Sequence, residues 1–308
     1  MRLNISNKFL QRYKIPLPKV AEVPNVNPNN RRFHGKVVVI TGASSGIGRA
    51  CALQFAQMGA TVVLSSRRLE MLQEVQKEIE KMNRIAVWNH PSLCVKADIR
   101  EIEDCKKLID KTIEAFGRID VLINNAGISM RANFEELDLK VIKELMDTNF
   151  YGTVYCTKFA LPHLLKHKGT VVGISSISGL APLPGRTGYA ASKHAMDGFL
   201  NTLRLENKRK GLNVMIVHPG FTNSNIRLTA LNKDGNPQAE SPRDEGKMMS
   251  SSRVAEIIAK AVFKRERDLI LTPQGRMVVW LRKNFPGVAD RILLHEMEKE
   301  PDSPLNKE

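Results

Sequence analysis

The chain is short of cysteine, of aromatics and of acid. Four cysteines in 308 residues (Cys51, Cys94, Cys105 and Cys156) stand far apart. That spacing argues against a disulfide framework and for reduced thiols. The cysteines and seven histidines fall into no recognised metal-ligand motif, so no metal is expected. No run of about 18 apolar residues exists, and the first residues hold no apolar core of the signal-peptide kind. The expected setting is therefore cytoplasmic, with peripheral contact to a membrane left open. Asp and Glu number 32 against 47 Lys and Arg, a net charge of +15. Such an excess suits nucleic acid, an anionic membrane or a phosphorylated cofactor, and selects none of them. No nucleic-acid-binding motif is recognisable, so nucleic acid is not expected as a partner.

Glycine and proline, 20 and 15 residues, are ordinary in number, so collagen-like and mainly disordered chains are excluded. The length fits one large α/β domain with additional segments. Residues 1–35 read as a basic, proline- and asparagine-rich arm, in which Leu3, Ile5, Phe9, Leu10 and Tyr13 could form a short amphipathic helix. Residues 36–273 read as the main domain, and 274–308 as an amphipathic segment with a charged, frayed tail. Strands are expected at Val37–Thr41, Thr61–Ser65, Leu93–Ala97, Val121–Ile123, Thr170–Ile174, Asn213–Val217 and Leu269–Leu271. Helices are expected near 47–58, 68–82, 102–116, 136–165, 189–209 and 251–265. This alternation predicts a single α/β domain of Rossmann type, with a doubly wound parallel sheet and helices on both faces. Ligands then bind at the strand C-terminal ends, where the strand order reverses.

The first strand runs into Thr41-Gly42-Ala43-Ser44-Ser45-Gly46-Ile47-Gly48 and then a helix. Glycines allow the sharp turn and a close approach to a pyrophosphate, which the helix N-terminus attracts. No Lys-Ser/Thr follows, so this is not a P-loop. At the end of the second strand an acid would suit the 2′-hydroxyl of NAD. Ser65-Ser66-Arg67-Arg68 stands there instead, and cationic side chains suit the 2′-phosphate of NADP.

Of four tyrosines, only Tyr189 has a lysine at i+4, Lys193, which places both on one helix face. A free phenol titrates near 10, too high for proton transfer at neutral pH. A nearby ammonium would lower it. With these pieces assembled, the chain resembles the short-chain dehydrogenase/reductase family. The matching motifs are Thr41-Gly-x3-Gly46-x-Gly48, Asp98, Asn124-Asn125-Ala126-Gly127, Asn149, Ser176, Tyr189-x3-Lys193 and Pro219-Gly220. Its look is nearest to microsomal and bacterial members acting on lipid-like or steroid-like carbonyls.

The resemblance implies an NADP(H)-dependent oxidoreductase that interconverts a carbonyl and an alcohol. Tyr189 would be the general acid or base. Lys193 would lower its pKa and bind the nicotinamide ribose. Ser176, rather than Ser175, would hold the substrate oxygen, thirteen residues ahead of the tyrosine. Asn149 would place a relay water. Gly42, Ser44, Ser45, Gly46, Ile47, Gly48, Ser66, Arg67, Arg68, Asp98, Ile99, Asn125, Ala126, Gly127, Pro219, Gly220 and Thr222 would join Tyr189 and Lys193 around the cofactor. Ser45 departs from many NADP-dependent relatives, which carry a base there, so Arg67 would take more of the phosphate, helped by Arg49. A mobile lid is expected near 221–250. Ile128, Ser129, Met130, Ile177, Leu180, Leu183 and Phe221 would make a mostly apolar substrate wall; Arg186 at its entrance could hold an acidic group but is read in preference as an exposed arginine. A homodimer or homotetramer is implied. The segment 275–294 would cover the pocket, meet another subunit or lie at a membrane. The rival from another class is a non-catalytic cofactor sensor or basic scaffold.

Overall fold

The computed structural model describes residues 31–86, 89–238, 246 and 248–306. The expected helix near Phe9 and part of the expected lid lie outside them. The chain runs β1 (Val37–Thr41), α1 (Gly46–Gln57), β2 (Thr61–Ser66), α2 (Leu69–Ala86), β3 (Ser92–Lys96), α3 (Ile102–Phe116) and β4 (Val121–Asn124). Next come α4 (Leu139–Leu145), a π-turn (Met146–Tyr151), α5 (Gly152–Lys166), β5 (Thr170–Ile174), α6 (Thr187–Glu206) and β6 (Asn213–His218). The last elements are β7 (Thr222–Asn223), β8 (Met249–Ser250), α7 (Ser251–Lys264), β9 (Asp268–Ile270), α8 (Pro273–Asn284) and α9 (Pro286–Glu298).

Seven parallel strands form one sheet in the order β3-β2-β1-β4-β5-β6-β9, with β7 and β8 paired separately. The central strands β1, β4 and β5 are buried along their whole length, as expected for a parallel sheet covered by helices on both faces. One core layer joins Val38, Ile40, Val62 and Leu64 to α1, α2 and α7. The other joins Val39, Val63, Leu122 and Val171 to α3, α5 and α6. The strand order reverses between β1 and β4, whose C-terminal ends carry the glycine turn and Asn124–Gly127.

Three local features differ from the sequence expectations. The helix expected over 136–165 is interrupted by the π-turn, where Asn149 spends its side-chain amide on the backbone of Ile128. π-bulges of this kind often mark functional positions. Residues 32–35, read as the end of an extended arm, form a turn. Phe33 is buried there, edge-on to the rings of Phe55 and Phe263. The tail is docked rather than frayed: Met297, Glu300 and Ser303 are buried, and Asn133 Nδ2 donates to Pro304 O at 2.6 Å.

Candidate active site

The glycine turn is held by main-chain geometry. Gly42 sits at φ +66°, and a Cβ on Gly48 would fall 2.3 Å from both Gly42 O and Asn125 Nδ2. Thr41 Oγ1 accepts from the amides of Asn125 and Ala126 at 3.0 and 3.1 Å. Asn125 Nδ2 donates back to Thr41 O at 2.9 Å. The ends of β1 and β4 are thereby locked side by side. Helix α1 opens at Gly46, and its N-cap Ser45 makes no capping bond through its side chain. The first amides of the helix are therefore left uncapped, as an anion site requires. A side chain at Gly48 would collide with the Gly42 carbonyl and the Asn125 amide, so glycine keeps the turn tight, and the turn fits a dinucleotide pyrophosphate.

Two arginines follow β2. Arg68 is an exposed residue whose guanidinium turns back to donate to Ser44 Oγ at 2.9 Å and Ser45 Oγ at 3.2 Å. Partial burial of that guanidinium, and then the neighbouring charge of Arg67, hold its pKa below the ordinary arginine value. Arg68 thus brings a guanidinium to the position where Ser45 lacks a base. Arg49 does not assist: both oxygens of Glu78 take its Nη2, at 2.5 and 2.7 Å. Ser66 Oγ accepts from the Arg68 amide at 3.1 Å. Asp98 is gripped by Arg100 Nη2 at 2.6 Å. Burial pushes the Asp98 carboxyl up, but the Arg100 bonds and the charge of Arg67 outweigh it and hold it low. Ile99 is buried, and a Cβ on Gly152 would meet its Cδ1 at 2.4 Å.

Tyr189, Ser176, Lys193 and Asn149 converge at the C-terminal ends of β4 and β5. Tyr189 is part-buried and hydrogen-bonded through its side chain to Ser176. Ser176 also accepts from the Ser178 amide at 3.1 Å. The neighbouring Ser175 is buried and lies toward Asp197. Lys193 Nζ donates to Ile174 O at 2.9 Å and lies 5.8 Å from the Tyr189 ring centroid. Asn149 Nδ2 donates to Ser192 Oγ at 2.9 Å. A Cβ on Gly127 would meet Asn149 Oδ1 at 3.0 Å and Lys193 Nζ at 3.5 Å, so these groups share one wall.

The electrostatics differ from the expectation that Lys193 brings the phenol down. Burial pushes the Tyr189 phenol above its ordinary value, against the Ser176 bond and the charge of Arg186. Burial likewise pulls Lys193 down to about 8, with the charge of Asp197 opposing the fall.

On the substrate side, Met130 is buried with Leu137, Val141, Leu145 and Leu231. Leu183, Val278 and Val279 are part-buried against the cluster of Ile177, Ala181 and Leu293. Arg186 is not an exposed arginine: its side chain is 12% exposed and meets Glu300 Oε2 at 2.9 Å. Arg131 Nε meets the same oxygen at 3.4 Å. A small cavity lies between Ser129, Met130, Arg131, Arg186 and Arg227. Phe221 is exposed, whereas Thr222 is buried with its hydroxyl on Gly220 O at 3.2 Å. A Cβ on Gly220 would fall 2.7 Å from Thr272 Oγ1, and Pro219 O accepts from the Ile177 amide. Sequence reasoning missed Glu300, whose partners are remote in the chain, and the reach of Arg68 to the glycine turn. His163 and His167 stand four apart near the end of α5, a pair the motif reading passed over. Among the described residues, no group of three or more His, Cys, Asp or Glu could hold a metal.

A parallel sheet with a glycine cradle at its switch point and a Tyr-Ser-Lys-Asn cluster beside it defines a dinucleotide-dependent oxidoreductase. Residues 36–234 match the family model for short chain dehydrogenases. The chain is 37% identical over 269 residues to Dehydrogenase/reductase SDR family member 7B of Bos taurus, covering 87% of this chain and 83% of that protein. It is 35% identical over 281 residues to Dehydrogenase/reductase SDR family protein 7-like of Dictyostelium discoideum, covering 91% and 85%. Its fold matches an alcohol dehydrogenase from the archaeon Thermococcus sibiricus, complexed with 5-hydroxy-NADP, at a TM-score of 0.65 and 24% identity, covering 77% of this chain and 95% of that one. The chain belongs to the short-chain dehydrogenase/reductase family.

Proposed function

We propose that this protein is an NADP(H)-dependent oxidoreductase interconverting a carbonyl and an alcohol on a mostly apolar small molecule. The observation that carries this reading is the joining of the Tyr189–Ser176 pair and Lys193 to the glycine cradle at one end of the sheet. When bound, the dinucleotide supplies or accepts the hydride, and its oxidised ring adds positive charge near the phenol. In reduction Tyr189 gives its hydroxyl proton to the carbonyl oxygen; in oxidation it takes the proton back. Ser176 holds that oxygen. Lys193, mostly protonated at pH 7, favours the phenolate that reduction leaves behind. Asn149, fixed by Ile128 and Ser192, holds the wall next to Lys193. Arg67 and Arg68 supply the charge that favours NADP over NAD, through charge-assisted bonds to the 2′-phosphate.

The apolar side chains around Ile177, Leu183, Val278 and Val279 favour an apolar substrate. A second observation concerns location. Met277, Trp280, Phe285, Val288 and Ile292 are exposed along α8 and α9, with Arg276, Lys283 and Arg291 among them. No helix among the described residues is long and apolar enough to cross a membrane. We read this face as a weak, salt-sensitive contact with anionic lipid, on a homodimer or homotetramer. The activity is tested by following the reduced-nicotinamide absorbance with a panel of apolar ketones, using NADPH and NADH in parallel. Consumption of NADPH in preference to NADH supports the reading; cofactor binding with no consumption would favour a cofactor sensor.

A further inference from the structure

Beside Lys193 lies a second buried polar cluster that the proposed chemistry does not use. Lys193 and Asp197 are one turn apart on the same face of α6, 2% and 6% exposed. Asp197 Oδ2 is 3.0 Å from His218 Nε2 at the end of β6. A carboxylate only accepts, so Nε2 carries the hydrogen. Gly179 lies against Asp197 and Ser175: a Cβ there would fall 2.7 Å from both Asp197 Oδ2 and Ser175 Oγ. Ser175 Oγ, Asp197 Oδ1 and His218 Nδ1 are buried and find no hydrogen-bond partner among the described residues. A simple cross-link between α6 and β6 needs no carboxylate here, because leaving polar atoms buried and unpaired is costly. A buried ammonium, by contrast, requires a counter-charge.

We propose that Asp197, anchored by His218, is a positioning residue whose carboxylate is the counter-charge for the buried Lys193 ammonium. The catalytic purpose of this arrangement rests on the dehydrogenase reading above; the electrostatic claim does not. The titratable or charged groups facing the cluster are Tyr189 and Asp197 on α6, Arg204 two turns further on, and His218 on β6. Arg204 itself is held by Asp268 at 2.9 Å. The other neighbours, Asn149, Gly127, Ile174 and Ser175, do not titrate in the working range. Burial depresses the Lys193 pKa and Asp197 opposes that, in keeping with the geometry. The same carboxylate raises the Tyr189 phenol, an effect smaller than that of burial, so any benefit passes through the lysine.

The test is a 13C-lysine NMR titration of the full chain without substrate, from roughly pH 6 to pH 11, a range spanning depressed and ordinary lysines. The Lys193 resonance is assigned by its loss in Lys193→Met. Lys193 in the unaltered protein should titrate at about 8. In Asp197→Asn the midpoint should fall by about one unit, the scale expected for losing a partly screened charge one helical turn away. An unchanged or raised midpoint overturns the proposal. His218→Asn keeps the carboxylate and removes its anchor, so the midpoint should hold or rise. A fall there of about one unit would assign the effect to packing and overturn the proposal, and this arm decides the matter if Asp197→Asn does not fold. Because the titration needs no turnover, failure to find dehydrogenase activity would remove the catalytic purpose and leave the electrostatic result standing.

Discussion

On the cofactor side of the cleft, Thr41, Gly42, Gly48 and Asn125 lie at the ends of adjacent strands and are tied by bonds between main-chain groups and the short side chains of Thr41 and Asn125. On the substrate side, Arg131, Arg186 and Glu300 come from three stretches of the chain and meet through side-chain charge. The first arrangement follows from sheet order and tolerates little change of side-chain size. The second depends on the docked tail, and side-chain ion pairs can be re-made without disturbing the sheet. One framework can therefore keep its cofactor cradle while the substrate wall varies, which fits the general rule that function resides in sites grafted onto folds.

The largest break in this comparison should come at the seam between the halves. Tyr189→Phe should lower kcat by about 10²–10⁴-fold, the range for losing a general acid, while NADPH affinity measured by fluorescence titration stays the same. Near-normal turnover would remove Tyr189 from its role. Ser176→Ala should cost about 10²–10³-fold in kcat, as for other single donors to a developing oxyanion. Ser175→Ala should be milder, and the reverse order would show that the wrong serine was chosen.

The next effect is confined to the cofactor side. Arg67→Ala or Arg68→Ala should weaken NADPH about ten- to a hundred-fold, the worth of a charged hydrogen bond, with NADH little changed. Equal losses for both dinucleotides would make these arginines structural. The smallest effect should be confined to the substrate side. Glu300→Ala leaves Arg131 and Arg186 without their shared carboxylate and loosens the tail. KM should rise about tenfold, equivalent to about 1.4 kcal/mol, while NADPH affinity is unchanged. A loss of NADPH affinity in Glu300→Ala would show that the two sides are not separable.

The same division explains what could be read from the chain. Thr41 to Gly48, Asn124 to Gly127 and Tyr189-x3-Lys193 are legible because their function needs fixed residue types at fixed local spacing. The alternation of buried runs such as Val37–Thr41 with amphipathic helices pointed to the doubly wound sheet for the same reason. The π-turn at 146–151 was not legible, since the contact made there by Asn149, to Ile128, lies across the fold. Nor was the pairing of Arg186 with Glu300, whose separation of 114 residues carries no local signal. Arg49 looked available from its place after the glycine turn; only the packing of α1 on α2 brings Glu78 to it.

The central claim is that a hydride moves to a carbonyl carbon at Tyr189, and deuterium transfer tests it most directly. The unaltered protein is given NADPH carrying deuterium at the transferable position together with an apolar ketone, and the product is analysed by NMR. The account predicts deuterium on the carbinol carbon, with the label absent from the product when Tyr189→Phe is used. Tight NADPH binding with no labelled alcohol from any ketone in the panel would contradict it and mark the protein as a binder of the cofactor alone.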